Sequence, residues 1–171
     1  YSAESSIDIL LREIPGTDEL DGKIETAKKE LEEKRETGAG YIDLQNADLK
    51  VLGFEDLRFW AEKKERVEPL PFCDPEKPLE LKAVGIDDSI CLFFTQTEMF
   101  VEYQLALKKK VPFNHFILAT MVNGSSPGYI CTPETYDEGG YESGASLYRP
   151  RMGEYFLTES LKLINELKNR E

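Results

Sequence analysis

The most distinctive strand signal in this sequence lies at residues 90–95, Ile-Cys-Leu-Phe-Phe-Thr, which are apolar on both faces of an extended chain. Immediately upstream, Leu79, Leu81 and Ala83 alternate with charged or small residues, and a turn is predicted at residues 86–89. Period-two alternation followed by a continuous apolar run is typical of two successive strands. The sequence therefore predicts a β-hairpin whose second strand is buried.

Downstream of the hairpin, helix and strand patterns alternate. Thr97 is predicted to cap a helix over residues 98–110, whose last turn is rich in lysine. Residues 116–121 are predicted as a second buried strand, residues 128–132 as a short extended segment, and residues 155–168 as an amphipathic helix. This alternation predicts a mixed α/β fold in which helices flank a small buried sheet.

The N-terminal half is the more acidic half, and its patterns are helical. Apolar residues at helical spacing predict helices over residues 5–14 and 18–36 and in part of residues 44–64. Four prolines between Val67 and Pro78 cannot continue a helix or a central strand. We therefore expect a helical, acidic N-terminal half that ends in a linker.

These patterns divide the chain into three parts. Residues 1–66 form a helical segment, which we interpret as an elaboration of the fold or a lid over a substrate groove. Residues 67–78 form a proline-rich linker, and residues 79–171 form the α/β part. Because the first residue is Tyr1 and not Met, we expect a fragment of a longer chain, whose N-terminal part would be a partner of this one.

The composition argues against several classes of function. The 171 residues include 33 Asp and Glu but 21 Lys and Arg, so the formal net charge is −12. Such a chain lacks the positive charge that binding to nucleic-acid phosphates requires. No apolar run has membrane-spanning length, and no transmembrane segment is expected. Three cysteines without close spacing and a single histidine, His115, argue against a disulfide framework and against an ordinary zinc site built from this chain alone.

Two clusters of polar residues follow predicted strands. Because ligands bind at the carboxyl ends of strands in α/β sheets, Glu98 and the tyrosines that begin at Tyr129 form the candidate site. Glu98 can also be explained without any binding site, since a carboxylate in the first turn of a helix is stabilised by the helix dipole. The tyrosine cluster can likewise be a purely structural feature, because such clusters commonly pack with a hydrogen-bonded hydroxyl. A nearby cation would instead make such a phenol a metal ligand or a donor to an oxyanion.

A more specific signal lies in residues 128–146, Gly-Tyr-Ile-Cys-Thr-Pro-Glu-Thr-Tyr-Asp-Glu-Gly-Gly-Tyr-Glu-Ser-Gly-Ala-Ser. The offsets of its three tyrosines, its Tyr-Glu pair and its Ala-Ser pair resemble the C-terminal part of the catalytic domain of the neutral/alkaline non-lysosomal ceramidases. The resemblance covers roughly residues 79–165. Within it, the predicted strand, Glu98 at a predicted helix start and the second predicted strand follow one another in the same order as in the family.

The resemblance implies a zinc enzyme that hydrolyses the amide bond of N-acylsphingosine, with the metal held by two histidines, a glutamate and a tyrosine. It implies that Glu98 is the carboxylate ligand, that Tyr129 is the tyrosine ligand and that Tyr141 helps to stabilise the oxyanion. In the family the two histidine ligands belong to the N-terminal part of the catalytic domain, and His115, the single histidine of this chain, lies in neither histidine motif.

We therefore expect the C-terminal portion of a ceramidase-like zinc amidohydrolase, catalytically incomplete in this chain alone. Zinc would be bound in the complete parent and be absent or partial here, and the substrate would be a lipid or another N-acyl compound.

Two alternatives remain open. The first is a relative that has lost catalysis and serves as a binding or assembly module, which the absence of metal-spaced histidines from the parent would select. The second is a hydrolase of a different small substrate, such as an amide or a sugar derivative, on the same fold. A polar, narrow groove would favour the second, because a lipid substrate needs a long apolar surface to bury its chain.

Overall fold

The computed structural model describes residues 1–66, 68, 77–122, 128–138 and 140–169. It has the mixed α/β fold that the sequence predicts, with a small sheet flanked by helices. The strands are β1 (Ser2–Ile7), β2 (Leu79–Ile86), β3 (Ile90–Thr95), β4 (Glu98–Met99), β5 (His115–Ala119) and β6 (Tyr129–Ile130). The helices are α1 (Thr17–Glu36), α2 (Tyr41–Glu65), α3 (Val101–Lys110), α4 (Pro133–Glu138), α5 (Tyr141–Ala145) and α6 (Met152–Lys168).

The main sheet has the strand order β1-β2-β3-β5. β1 and β3 both pair antiparallel with β2, and β5 lies parallel to β3. The predicted hairpin is confirmed as β2 and β3, and Asp87 in its turn has a φ of 50°. Aspartate tolerates this left-handed conformation because its short polar side chain can hydrogen-bond locally.

The hydrophobic core lies between one face of the sheet and the helices α3 and α6. Alternate residues along each strand point to this face, and Leu81, Phe93 and Phe116 are buried there together with Phe156 of α6. The rings of Phe93 and Phe156 meet edge to face, with their centroids 6.1 Å apart. The predicted C-terminal helix is confirmed, and its apolar stripe covers the sheet.

The helix predicted over residues 5–14 is wrong, because the chain begins with the strand β1. This strand pairs antiparallel with β2 from Ser2 opposite Val84 to Ile7 opposite Leu79. The pairing buries Ala3 and Ile7 and takes up backbone hydrogen bonds along one side of β2. A short helical spacing of apolar residues is a weak signal, and pairing with a remote strand has overridden it.

The start of the helix predicted over residues 98–110 is also wrong. Glu98 and Met99 form β4, which pairs in parallel with β6, and the helix begins at Val101. Thr97 does not cap this helix, because its hydroxyl donates a hydrogen bond to the Gly128 carbonyl at 2.9 Å. Glu98 therefore lies outside the helix, and the helix dipole does not account for it.

Helices α1 and α2 form an antiparallel pair, and α2 packs against α5. One buried cluster joins this pair to the rest of the chain through Leu20 of α1, Leu57 of α2 and Leu147. The linker predicted at residues 67–78 lies largely outside the described residues, as does Cys73. Within the described part of the chain, no helix combines the length and apolar character needed to cross a membrane.

Candidate functional site

Strands β4 and β6 bring Glu98 and Tyr129 together. Their parallel register sets Glu98 opposite Tyr129 and Met99 opposite Ile130. Side chains of residues paired in this way point to the same side of the two-stranded sheet. Two residues that are distant in the sequence, and that the sequence marks as candidate metal ligands, are therefore direct neighbours.

The backbone of Tyr129 is held from two directions. Thr97, just before β4, bonds to the carbonyl of Gly128, and the Ser146 hydroxyl donates to the carbonyl of Tyr129 at 2.6 Å. The same Ser146 oxygen accepts a hydrogen bond from the backbone N–H of Tyr148 at 3.2 Å. This network fixes the strand that carries Tyr129, so its side chain is aimed by the backbone.

The phenol of Tyr129 is neutral at physiological pH. Burial first, and the negative charge of the neighbouring Glu98 next, together raise the pKa of Tyr129 to about 12. Both effects disfavour the phenolate. A cation at this position would reverse the balance, because it would stabilise the phenolate and the carboxylate together.

Tyr141 lies against Tyr129 and beside a second carboxylate. The two rings meet edge to face, with their centroids 6.1 Å apart and an interplanar angle of 72°. The Tyr141 hydroxyl lies beside the carboxylate of Asp56 of α2, and burial, followed by the charge of Asp56, raises the pKa of Tyr141. Burial also raises the pKa of Asp56, against the lowering effect of the neighbouring Tyr141 hydroxyl.

The contact between Asp56 and Tyr141 depends on a close crossing of α2 and α5. A Cβ atom built on Gly144 of α5 would lie 2.6 Å from the Cα of Gly53 in α2, so the two backbones touch. Asp56 is three residues beyond Gly53 and on the same helix face. Arg12 holds the far end of α5, since its guanidinium donates to the carbonyls of Ser143 at 3.0 Å and Gly144 at 2.9 Å.

Asp56 was not identified from the sequence as a candidate site residue. Its surroundings in the sequence are those of an amphipathic helix, and its partner Tyr141 is far away along the chain. The signal in the sequence was Gly53. A glycine in the interior of a segment whose other residues favour a helix often marks a close contact with another backbone.

His115 is not part of this group. It is paired with Ile90, at the beginning of β3, whereas Glu98 follows the other end of that strand. In the ranges that the structure describes, no cluster of three or more His, Cys, Asp or Glu side chains is arranged to hold a metal ion. Since a catalytic zinc site uses three protein ligands and a water, Glu98 and Tyr129 fit as two oxygen donors of a larger set.

The other candidate residues have structural explanations. The Tyr136 hydroxyl donates to the Tyr148 carbonyl at 2.9 Å, which joins α4 to the segment before α6. Cys91 and Cys131 are buried free thiols, and burial raises their pKa values to about 11 and about 12. Such thiols are unreactive at neutral pH and pack as small hydrophobic side chains.

A polar groove adjoins Tyr141 between α1, α2 and the start of α5. Its volume is about 420 Å³. The charged and amide side chains that line it are Glu30, Lys34, Asn46, Lys50 and Glu142. Lys50 and Glu30 form an ion pair at 2.8 Å across the two helices. The space next to the candidate site therefore suits a hydrophilic group.

Comparison with known proteins gives a partial match. No family model matches the chain, and no curated protein matches it. The neutral ceramidase from Pseudomonas aeruginosa is 18% identical over 55% of this chain and 16% of its own, with a TM-score of 0.42. A structure described as ceramidase complexed with C2 is 20% identical over 54% of this chain and 15% of its own, also with a TM-score of 0.42. The match thus spans less than one fifth of either ceramidase chain, and the likeness is one of fold at most.

Proposed function

We propose that this chain is the C-terminal portion of a ceramidase-like zinc amidohydrolase that cleaves an N-acyl amide bond. One observation carries the proposal: Glu98 and Tyr129 are paired across β4 and β6, and the ring of Tyr141 packs against Tyr129. These are the residues to which the sequence resemblance gives roles, Glu98 and Tyr129 as metal ligands and Tyr141 at the oxyanion. The N-terminal part of the parent would supply the remaining ligands.

Glu98 and Tyr129 would hold the metal through one carboxylate and one phenolic oxygen. Bound zinc supplies a Lewis acid that polarises a carbonyl and lowers the pKa of a coordinated water to about 7. Tyr129 has to release its proton to become a ligand, and its pKa of about 12 opposes this in the free site. The phenol would therefore become a ligand only in the presence of the cation, and it would lose its proton when the metal binds.

Tyr141 would act as a hydrogen-bond donor to the oxyanion that forms when the amide carbonyl is attacked. Burial and Asp56 raise its pKa, so it keeps its proton at neutral pH. A donor next to the metal ligands stabilises charge that develops only in the transition state. In the free site the Tyr141 hydroxyl lies beside Asp56, so the oxyanion would compete with that carboxylate for its proton.

The test is the zinc content and zinc affinity of the parent protein and of this chain. We expect about one zinc per parent chain, and an affinity at least roughly tenfold lower in Glu98→Gln and in Tyr129→Phe. Glu102→Gln and Tyr41→Phe are matched controls, because both residues are exposed. The proposal fails if the parent binds no zinc, or if the site variants bind it as tightly as the controls.

The polar groove favours a second candidate, a hydrolase of the same kind whose substrate is a small polar amide. A long acyl or sphingoid chain needs apolar surface, whereas the groove beside Tyr141 carries Lys34, Lys50 and Glu142. Lys34→Ala in the parent separates the two candidates. A lower kcat/KM for a short N-acyl amino sugar, with hydrolysis of a long-chain ceramide unchanged, would support the polar substrate.

A further inference from the structure

We infer that Asp56 is a positioning residue that holds the Tyr141 hydroxyl beside the paired Glu98 and Tyr129. This inference rests on the proposed function, because it concerns the residue to which that function gives the oxyanion role. It also assigns a task to the N-terminal helices, which the sequence suggests only as an elaboration or a lid.

Tyr141 needs support from outside its own helix. It is the first residue of α5, which has five residues and so provides little rigidity by itself. Its ring contacts Tyr129 at one edge, which leaves the direction of the hydroxyl to be set by a second contact. Asp56 provides that contact from α2. The side chain is thus held at its ring by the candidate metal ligand and at its hydroxyl by α2.

The position of Asp56 is fixed by the backbone. Gly53 and Gly144 bring α2 and α5 into direct contact, and Asp56 follows Gly53 by three residues. Asp56 could leave Tyr141 only by changing its own side-chain rotamer or by separating the two helices. A substitution at either glycine should therefore disturb the same hydroxyl.

Asp56 has no competing role among the described residues. It is half-buried, and no Lys or Arg in these ranges forms an ion pair with it, whereas its neighbour Glu55 is paired with Lys28 at 2.7 Å. A half-buried carboxylate is costly unless it accepts hydrogen bonds. The neighbouring Tyr141 hydroxyl is placed to supply one, and we take this as the contact by which Asp56 positions it.

The test is a spectroscopic signature in this chain. The chain is labelled with ¹³C at Cζ of its eight tyrosines, and the Tyr141 resonance is identified by its loss in Tyr141→Phe. We expect Asp56→Ala to shift that resonance towards that of Tyr41, which is 78% exposed. Asp56→Asn should shift it less, because the carboxamide oxygen still accepts the hydrogen bond. Asp48→Asn, an exposed change on the same helix, should not shift it.

An unshifted Tyr141 resonance in Asp56→Ala, or an equal shift in Asp48→Asn, would overturn the inference. Alanine is a good helix former, so α2 should persist in the variant, and far-ultraviolet circular dichroism verifies this. Zinc binding by the parent separates this inference from the proposed function. Asp56→Ala should leave the zinc affinity unchanged, whereas Glu98→Gln should lower it. If Glu98→Gln has no effect while the resonance shifts, the proposed function fails and the positioning contact stands.

Discussion

The close crossing of α2 and α5 makes Gly144→Ala a sharp test of this structure. The added Cβ would lie 2.6 Å from the Cα, 2.9 Å from the carbonyl carbon and 3.2 Å from the oxygen of Gly53. All three atoms belong to the backbone, so no side chain can rotate away. Ordinary contact begins near 3.4 Å, and the two helices would have to separate by about 0.8 Å.

Gly22→Ala provides the matched control. Gly22 lies in the interior of α1, and a Cβ built on it would meet nothing within 4 Å. Alanine is favoured over glycine in a helix by about 0.5–1 kcal/mol, so this control should raise the free energy of unfolding. Gly144 lies one residue before the end of the five-residue α5, so alanine gains at most this much there. Overpacking costs about 1–3 kcal/mol, which is the expected difference between them.

Urea denaturation followed by circular dichroism measures this difference. A melting experiment should show it as a lower Tm for Gly144→Ala, by about 2–4 °C for each kcal/mol in a chain of this size. The Tyr141 Cζ resonance should shift as well, because α2 carries Asp56 away from it. If Gly144→Ala is as stable as Gly22→Ala, the backbones do not touch and the account of how Asp56 reaches Tyr141 is refuted.

Two further predictions concern Tyr129. Because its pKa is raised to about 12 by burial first and by Glu98 next, zinc binding at Tyr129 has to expel a proton, and zinc affinity should rise with pH. Competition titrations of the parent between pH 6 and 8 measure how steeply the zinc affinity rises with pH. In Tyr129→Phe one fewer proton is released on binding, so the rise should be smaller by about tenfold per pH unit. An unchanged pH dependence would contradict the ligand role. Ser146→Ala removes the 2.6 Å hydrogen bond to the Tyr129 carbonyl and should lower the free energy of unfolding by about 1–3 kcal/mol. Thr158→Ala, which removes an exposed bond to the Glu154 carbonyl, should change it by less than about 0.5 kcal/mol, and equal effects in urea denaturation would count against the buried network.

Local patterns were sufficient for the elements whose partners are close in the sequence. The hairpin of β2 and β3 and the helix α6 follow from alternation and from helical spacing, which a single strand or helix expresses by itself. Residues 5–7 and Glu98 were assigned to helices because their strand pairing is with remote segments. β1 takes its conformation from β2, and β4 takes it from β6. No local period reports such pairing.

The candidate site divides in the same way. Glu98 and Tyr129 were identified because each lies near the end of a predicted strand; Tyr129 also falls in the quoted motif, and Glu98 matches the family by its order along the chain. The structure sets them side by side. Their metal role stays a prediction. Asp56 could not be found from its own surroundings, because what distinguishes it is the contact with Tyr141 that the glycine crossing allows.

The pairing of α1 with α2 has a consequence for dynamics. These helices pack mainly on each other, and a small cluster around Leu57 and the glycine crossing join them to the remaining structure. Units of this kind open and close cooperatively while the rest of a protein stays folded. The backbone amides of α2 should therefore exchange their hydrogens with solvent faster than those of β3. Each opening would carry Asp56 away and leave Glu98 and Tyr129 in place, so the opening of the α1–α2 pair would set how often the assembled site exists.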